Sequence, residues 1–178
     1  MREAVIRQVS TPSYIIEEKA LRKNLECLKA VMDRTGCRIL LAQKAYSIYQ
    51  TYPLIGEYLA GTTASSLHEA RLGYEQMGKP MGRETHIYAP AYREEEMPEI
   101  LRMCGHIIFN SPAQFKKYKE QVKQAGRSMG LRINPECSTQ EGHAIYDPCA
   151  PFSRLGTTLA QFERQLTEEE IAEPDGLH

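Results

Sequence analysis

Lys44, which follows a short apolar run, is the residue whose position in this sequence best suits it to do chemistry. Residues 39–42 are continuously apolar, the pattern of a buried strand in a parallel sheet. A lysine at the carboxyl end of such a central strand points into the region where parallel α/β folds place their active sites. There its amine can lose hydration, which favours the neutral, nucleophilic form. For this residue alone, the alternative is a lysine that simply extends into solvent.

Arg132 is a second charged residue in an apolar setting. It lies in the middle of a predicted strand, residues 130–135. Burying an arginine there is costly unless it is paired or faces a ligand. Two interpretations stay open: a ligand contact, or a structural ion pair for which Glu69 is the candidate partner.

The elements that must position these residues recur at a regular interval. Predicted strands are separated by predicted helices, and their centres lie about 22 residues apart, near Ala42, Ala64, Ile87, Ile108 and Arg132. This rhythm predicts right-handed βα units around a parallel sheet. A complete (β/α)8 barrel needs roughly 250 residues. The sequence therefore predicts an α/β fold that is an incomplete (β/α)8 barrel of about five βα units, with a sixth strand opening at residues 175–178.

Several helix ends carry recognisable signals. Gly36 is expected to end the helix that begins near Leu21. Ser66 and Ser111 are expected to cap the next helices, with Glu69 and Gln114 completing capping boxes. The helix after Ser66 is expected to end at residues 78–80, and a single last helix is expected over residues 159–172.

The amino-acid composition argues against several classes of function. The chain has 22 basic and 23 acidic residues, so its formal net charge of -1 gives no general attraction to nucleic acid or to anionic membranes. No apolar stretch approaches the roughly 20 residues of a membrane span, and the amino terminus lacks the apolar core of a signal peptide. The five cysteines show no CxxC spacing and the histidines no ligand spacing, so neither disulfides nor a metal site is expected. These features indicate a cytoplasmic protein.

Motifs along nearly the whole chain resemble the barrel domain of the fold-type III pyridoxal-phosphate enzymes. This group includes alanine racemase, diaminopimelate decarboxylase and ornithine decarboxylase. The shared motifs are Thr11-Pro12-x-Tyr14, Leu41-Ala42-x-Lys44-Ala45 and Ala64-Ser65-Ser66-x-x-Glu69. Within the group, further motifs are similar to those of the carboxynorspermidine (carboxyspermidine) decarboxylases, at residues 61–73, 89–93, 109–112, 131–135 and 146–156.

The resemblance implies a function. It implies pyridoxal-phosphate-dependent decarboxylation of carboxynorspermidine or carboxyspermidine to norspermidine or spermidine, in polyamine biosynthesis, by an enzyme that is a homodimer when complete. One alternative is diaminopimelate decarboxylase or another decarboxylase or racemase of the same fold type. An alternative of another class is a non-catalytic fragment or binding module.

The resemblance also implies roles for single residues. Lys44 would hold pyridoxal phosphate covalently, and Arg132 would lie beside the phenolic oxygen of that cofactor. Ser65 is a weaker cofactor-binding candidate, because a capping role for this region explains it equally well. Arg154 is a weak candidate for substrate binding, with a loop anchor as its alternative. His178 matches the first histidine of a Gly-Leu-His-Phe-His strand in the family.

The sequence also departs from the family. Gln43, Tyr46 and Phe152 stand where relatives usually have other residues. A glycine-rich phosphate loop, an acid for the pyridine nitrogen and a C-terminal β-domain are not found in residues 1–178. The whole chain is therefore expected to be the N-terminal part of the barrel domain, truncated at the start of strand six. Made alone, it is expected to be inactive, to associate or fold poorly, and to bind pyridoxal phosphate weakly.

Overall fold

A computed structural model describes residues 6–178, apart from the side chain of residue 144. Strands and helices alternate along the chain, as the spacing predicts. The six strands are β1 (Leu40–Ala42), β2 (Gly61–Ala64), β3 (Glu84–Tyr88), β4 (His106–Phe109), β5 (Ser128–Leu131) and β6 (Gly176–Leu177). The eight described α-helices are α1 (Glu18–Thr35), α2 (Tyr52–Tyr58), α3 (Leu67–Gly73), α4 (Lys79–Met81), α5 (Met97–Met103), α6 (Pro112–Gln124), α7 (Leu159–Gln165) and α8 (Glu168–Ala172).

All six strands form one parallel sheet in the order β1-β2-β3-β4-β5-β6. Each strand therefore pairs with the next in sequence, which is the connectivity of a (β/α) barrel. The predicted fold class is confirmed. The expectation that Lys44 follows a central strand is wrong, since β1 lies at one edge of this sheet.

The helices pack on one face of the sheet and bury its apolar side chains. Phe109 of β4 is fully buried and contacts the rings of Phe115, Tyr118 and Tyr92. A second cluster joins Leu41 of β1 to helices α1 and α2. Burying each large side chain of this kind stabilises the fold by roughly 1.5–3 kcal/mol.

The other face, called here the open face, carries polar side chains. In β3 burial alternates: Thr85 and Ile87 are buried, whereas the residues on either side of them are half-buried. The rings of His86 and His106 lie 5.0 Å apart on this face. His106 Nδ1 is 2.6 Å from the hydroxyl of Ser128 on β5. His86, His106 and Ser128 therefore form a polar patch on the open face, next to the apolar side chain of Ile108.

The predictions drawn from the helix-end signals are partly confirmed. Gly36 ends α1 with φ of 74°, and the hydroxyls of Ser66 and Ser111 accept the Glu69 and Gln114 amides as predicted. The two capping boxes are not formed, contrary to the prediction, because neither side chain accepts the N–H of the capping serine. The Glu69 carboxylate accepts the Ser65 N–H, and the Gln114 side chain accepts the Asn110 N–H.

Two helix boundaries differ from the prediction. The segment after Ser66 continues through a π-helical turn, Tyr74–Gly78, and α4 until Gly82, whose φ is 64°. The predicted last helix is two short helices, because Thr167 begins a new capping box with Glu170. Among the described helices, none is long and apolar enough to cross a membrane.

Candidate active site

The carboxyl ends of the strands bring four side chains of the predicted site region to one edge of the open face. Lys44 lies two residues after β1, Tyr88 is the last residue of β3, Arg132 follows β5 and His178 follows β6. Since the strands are parallel, all four positions lie at the same end of the sheet.

Lys44 lies in a tight turn rather than in the strand. β1 ends at Ala42, whose carbonyl accepts the N–H groups of Ala45 and Tyr46 at 3.0 and 3.2 Å. The preceding Gln43 is buried, and its Oε1 accepts the Tyr52 hydroxyl at 3.3 Å. The positive charge of Lys44 acts on the imidazole of His178, which follows β6, so Lys44 lies near that residue. The Lys44 side chain is exposed, so the expected loss of hydration is not observed.

Arg132 packs on an aromatic ring. Its guanidinium carbon lies 4.6 Å from the centre of the Tyr88 ring, within the range of a cation–π interaction. Arg132 is half-buried. The prediction that it lies in the middle of a strand is wrong, since it is the first residue after β5. The alternative ion pair is not formed between the described residues Arg132 and Glu69, and the Glu69 carboxylate accepts the Ser65 backbone N–H at 2.7 Å.

His178 completes the group around Tyr88. The two rings meet edge to face, with their centres 5.3 Å apart. Partial burial lowers the pKa of His178 below its ordinary value, and the positive charges of Arg132 and Lys44 lower this pKa further. Both cations are therefore close enough to act on the same imidazole.

The electrostatic character of this edge is positive. Lys44, Arg132 and Arg154 form no ion pair in the part of the chain that the structure describes. Unpaired cations that lie close together raise the local concentration of anions. The arrangement is suited to an anionic ligand that a primary amine can attack.

Comparisons with known proteins find similar sequences and a similar fold. No protein-family profile matches the chain. The chain is 42% identical over 156 residues to a carboxynorspermidine/carboxyspermidine decarboxylase of Campylobacter jejuni, covering 88% of this chain and 39% of that protein. A crystal structure of carboxynorspermidine decarboxylase from Campylobacter jejuni, complexed with norspermidine, superposes with a TM-score of 0.79. That match is 38% identical and covers 96% of this chain and 41% of the other.

By sequence and by fold, the chain is a relative of the carboxynorspermidine/carboxyspermidine decarboxylases. It is also 37% identical over 161 residues to carboxyaminopropylagmatine decarboxylase of Synechocystis, covering 90% of this chain and 40% of that protein. Diaminopimelate decarboxylase from M. jannaschi shares the fold, with a TM-score of 0.71, at 17% identity. The chain spans about two fifths of the length of the curated relatives it matches.

Ser65 and Arg154 are the two weaker candidates for the site. Ser65 follows β2, is half-buried, and donates its backbone N–H to Glu69, whereas its hydroxyl forms no hydrogen bond with a described residue. Arg154 is exposed, and its carbonyl accepts the Asn110 side-chain amide at 2.9 Å. The hydroxyl of Ser65 and the guanidinium of Arg154 are thus both available to a ligand.

Two residues of the site were missed by the sequence analysis, namely Tyr88 and Asn110. The Tyr88 hydroxyl donates to Asn110 Oδ1 at 2.7 Å, and burial raises the pKa of this phenol. Each residue lies at the carboxyl end of a predicted strand, the position from which Lys44 was selected. This position at the carboxyl end of a strand was the sequence signal that could have identified both residues.

Proposed function

We propose that the chain forms the pyridoxal-phosphate-binding part of a decarboxylase acting on carboxynorspermidine or carboxyspermidine. The observation that carries the proposal is the convergence of Lys44 and Arg132, without ion-pair partners in the described chain, at the carboxyl edge of a sheet shared with the relatives. We further propose that residues 6–178 build the first βα units of the barrel, that the protein is cytoplasmic, and that the complete enzyme is a homodimer.

The residues present fit pyridoxal phosphate by the chemistry of their donor groups. Lys44 supplies an exposed primary amine that can bond to an aldehyde carbon. Arg132, held against the Tyr88 ring, supplies a fixed positive charge for an anionic ring oxygen. Ser65 supplies a free hydroxyl as a hydrogen-bond donor. When bound, pyridoxal phosphate provides a conjugated ring that accepts the electron pair left by departing carbon dioxide.

Side chains of this chain supply the proton transfer and the substrate binding. The Nζ atom of Lys44 is the group that can carry a proton to the substrate carbon once carbon dioxide has left. The guanidinium of Arg154 is exposed and unpaired within the described residues, so it can bind the carboxylate of the incoming substrate. Decarboxylation thereby combines a covalent anchor, a fixed cation and a proton carrier at one edge of the sheet.

The substrate is tested by a panel of amino acids. Carbon dioxide release by the complete decarboxylase, of which this chain would form part, is measured with carboxynorspermidine, carboxyspermidine, carboxyaminopropylagmatine and diaminopimelate. The proposal predicts turnover of the first two. Release from carboxyaminopropylagmatine alone would assign the second candidate activity, which the 37% identity to the Synechocystis enzyme favours. Release from diaminopimelate alone would contradict the proposal.

We infer that the isolated 178-residue chain has little activity by itself. The polar open face has no opposing wall within the described residues, so a bound substrate would stay in contact with water. Water at the site weakens the electrostatic effects on which decarboxylation depends. Pyridoxal phosphate binding is therefore measured separately from decarboxylation, and a fragment that neither binds nor turns over would correspond to the non-catalytic alternative.

A further inference from the structure

Asn110, which follows β4, uses every one of its polar groups. Its Oδ1 accepts two hydrogen bonds of 2.7 Å, one from the Tyr88 hydroxyl and one from Gly156 N–H. Its Nδ2 donates to the Arg154 carbonyl at 2.9 Å, and its own carbonyl accepts the Thr157 hydroxyl at 3.3 Å. The residue is only 9% exposed. Such a set of bonds fixes one orientation of the carboxamide.

The bonds of Asn110 connect two parts of the site that are distant in sequence. One is Tyr88, whose ring faces Arg132. The other is residues 153–157, called here the Arg154 segment. We propose that Asn110 is a positioning residue that couples the Arg154 segment to Arg132 through Tyr88. This deepens the proposed function, on which its kinetic consequence rests, by assigning a residue that acts through others.

The Arg154 segment has a second, independent attachment. Thr157 N–H donates to the Arg132 carbonyl, and Asn134 N–H donates to the Thr157 carbonyl, both at 2.8 Å. At Gly156, φ is +81°, and a Cβ would approach Asn134 N to 2.9 Å. The end of the segment is therefore held by backbone bonds, whereas residues 154–156 depend on the Asn110 side chain.

The chemistry of Asn110 explains why close substitutes differ. Alanine removes both acceptor bonds and the donor, leaving the Tyr88 hydroxyl and the Gly156 amide without their partner. Aspartate keeps an acceptor for both but has no donor for the Arg154 carbonyl. Asn110→Asp is therefore expected to keep the hydrogen bond from Gly156 N–H that Asn110→Ala removes. Ser111→Ala is the matched control, because it removes the cap of α6 next to Asn110 but none of these bonds.

The first measurement is amide hydrogen exchange on the 178-residue chain. In Asn110→Ala, the Gly156 amide is expected to exchange about tenfold faster or more, the effect of removing one buried hydrogen bond. Thr157 and Asn134, held by backbone bonds, are expected to change less. Asn110→Asp is expected to show slow exchange at Gly156, and Ser111→Ala to speed exchange only at the start of α6. Unchanged exchange at Gly156 in a folded Asn110→Ala chain would overturn the proposal.

The second measurement reports on Arg132. If Asn110 only stabilised the fold, replacing it would not change the environment of the Arg132 side chain. The NMR shift of the Arg132 Nε–H group senses the Tyr88 ring, and Tyr88→Leu defines its value without the ring. Asn110→Ala is expected to move this shift toward the Tyr88→Leu value, and Ser111→Ala to leave it in place. An unmoved Arg132 resonance in Asn110→Ala would overturn the coupling. Neither result depends on cofactor binding, so failure of the wild-type chain to bind pyridoxal phosphate would contradict the proposed function alone.

Discussion

The Arg132 guanidinium lies over the face of the Tyr88 ring, with 4.6 Å between the guanidinium carbon and the ring centre. The ring is itself held by Asn110, and it meets the His178 ring edge to face. Arg132 is consequently positioned by an aromatic surface rather than by a carboxylate. Its charge remains available to an anionic ligand, because a ring neutralises no charge.

Replacing the aromatic surface tests this arrangement. Tyr88→Leu is expected to weaken pyridoxal phosphate binding by about 2- to 30-fold, the range of a cation–π interaction of roughly 0.5–2 kcal/mol. Tyr88→Phe keeps the ring and is expected to have the smaller effect. Affinities are measured by absorbance titration. Equal affinity of the leucine and wild-type chains would show that Arg132 does not need Tyr88.

Close packing of β2 against β3 predicts a sharp contrast between two glycines. A Cβ at Gly61 would overlap the backbone of Glu84, its register partner on β3. Gly61→Ala is therefore expected to lower the free energy of unfolding by about 1–3 kcal/mol or more. Gly105 has open space and no positive φ, so Gly105→Ala is expected to be neutral or slightly stabilising. Denaturant unfolding compares the two, and similar losses would contradict the close β2–β3 packing at Gly61.

Phe152 has an unfavourable backbone conformation for a bulky residue. Its φ is 66° and its side chain is fully exposed, so no packing offsets the strain. A left-handed backbone conformation costs roughly 1–2 kcal/mol for a residue with a Cβ. Glycine avoids this cost but loses more backbone entropy on folding, so the net stabilisation by Phe152→Gly is smaller. Phe152→Gly is expected to raise the thermal unfolding midpoint, whereas Phe152→Ala is expected to leave it nearly unchanged. A lower midpoint for the glycine variant would contradict this account of the turn.

His106 on the open face makes stability depend on pH. Burial lowers its pKa below the ordinary value of 6.5, and the nearby His86 lowers it further, with Asp175 and Glu84 acting in the opposite direction. As the pH falls below 6.5, the unfolded chain binds this proton before the folded chain does. The free energy of unfolding therefore falls over that range.

His106→Gln tests the assignment. The amide of glutamine does not titrate, so the variant is expected to lose less thermal stability than the wild-type chain between pH 7 and pH 5. Thermal unfolding at a series of pH values measures the two slopes. Parallel slopes would assign the pH dependence to other groups.

Local patterns were enough to predict most of the elements. Apolar runs and helical spacing identify the strands, and the cap at Ser66 follows from hydrogen bonds made within one turn. The division of the last helix was also visible in principle, because Thr167 and Glu170 have the spacing of a capping box.

Contacts between distant parts of the chain were not predictable in the same way. The bond from Gly156 to Asn110 joins residues 46 positions apart, and no periodicity reports such a contact. The exposure of Lys44 depends on a turn that closes onto Ala42, just beyond the strand. Sequence patterns therefore placed Lys44 and Arg132 near the carboxyl ends of strands, whereas the partners of Arg132 required the fold.

The central claim is that Lys44 is the amine that holds pyridoxal phosphate. The direct measurement is borohydride reduction of the chain mixed with pyridoxal phosphate, followed by digestion and mass spectrometry. The expected result is a pyridoxyl group on Lys44, absent in Lys44→Arg and retained in Lys117→Arg, a control at an exposed lysine paired with Glu94. Labelling spread equally over the surface lysines, or unaltered by Lys44→Arg, would contradict the claim.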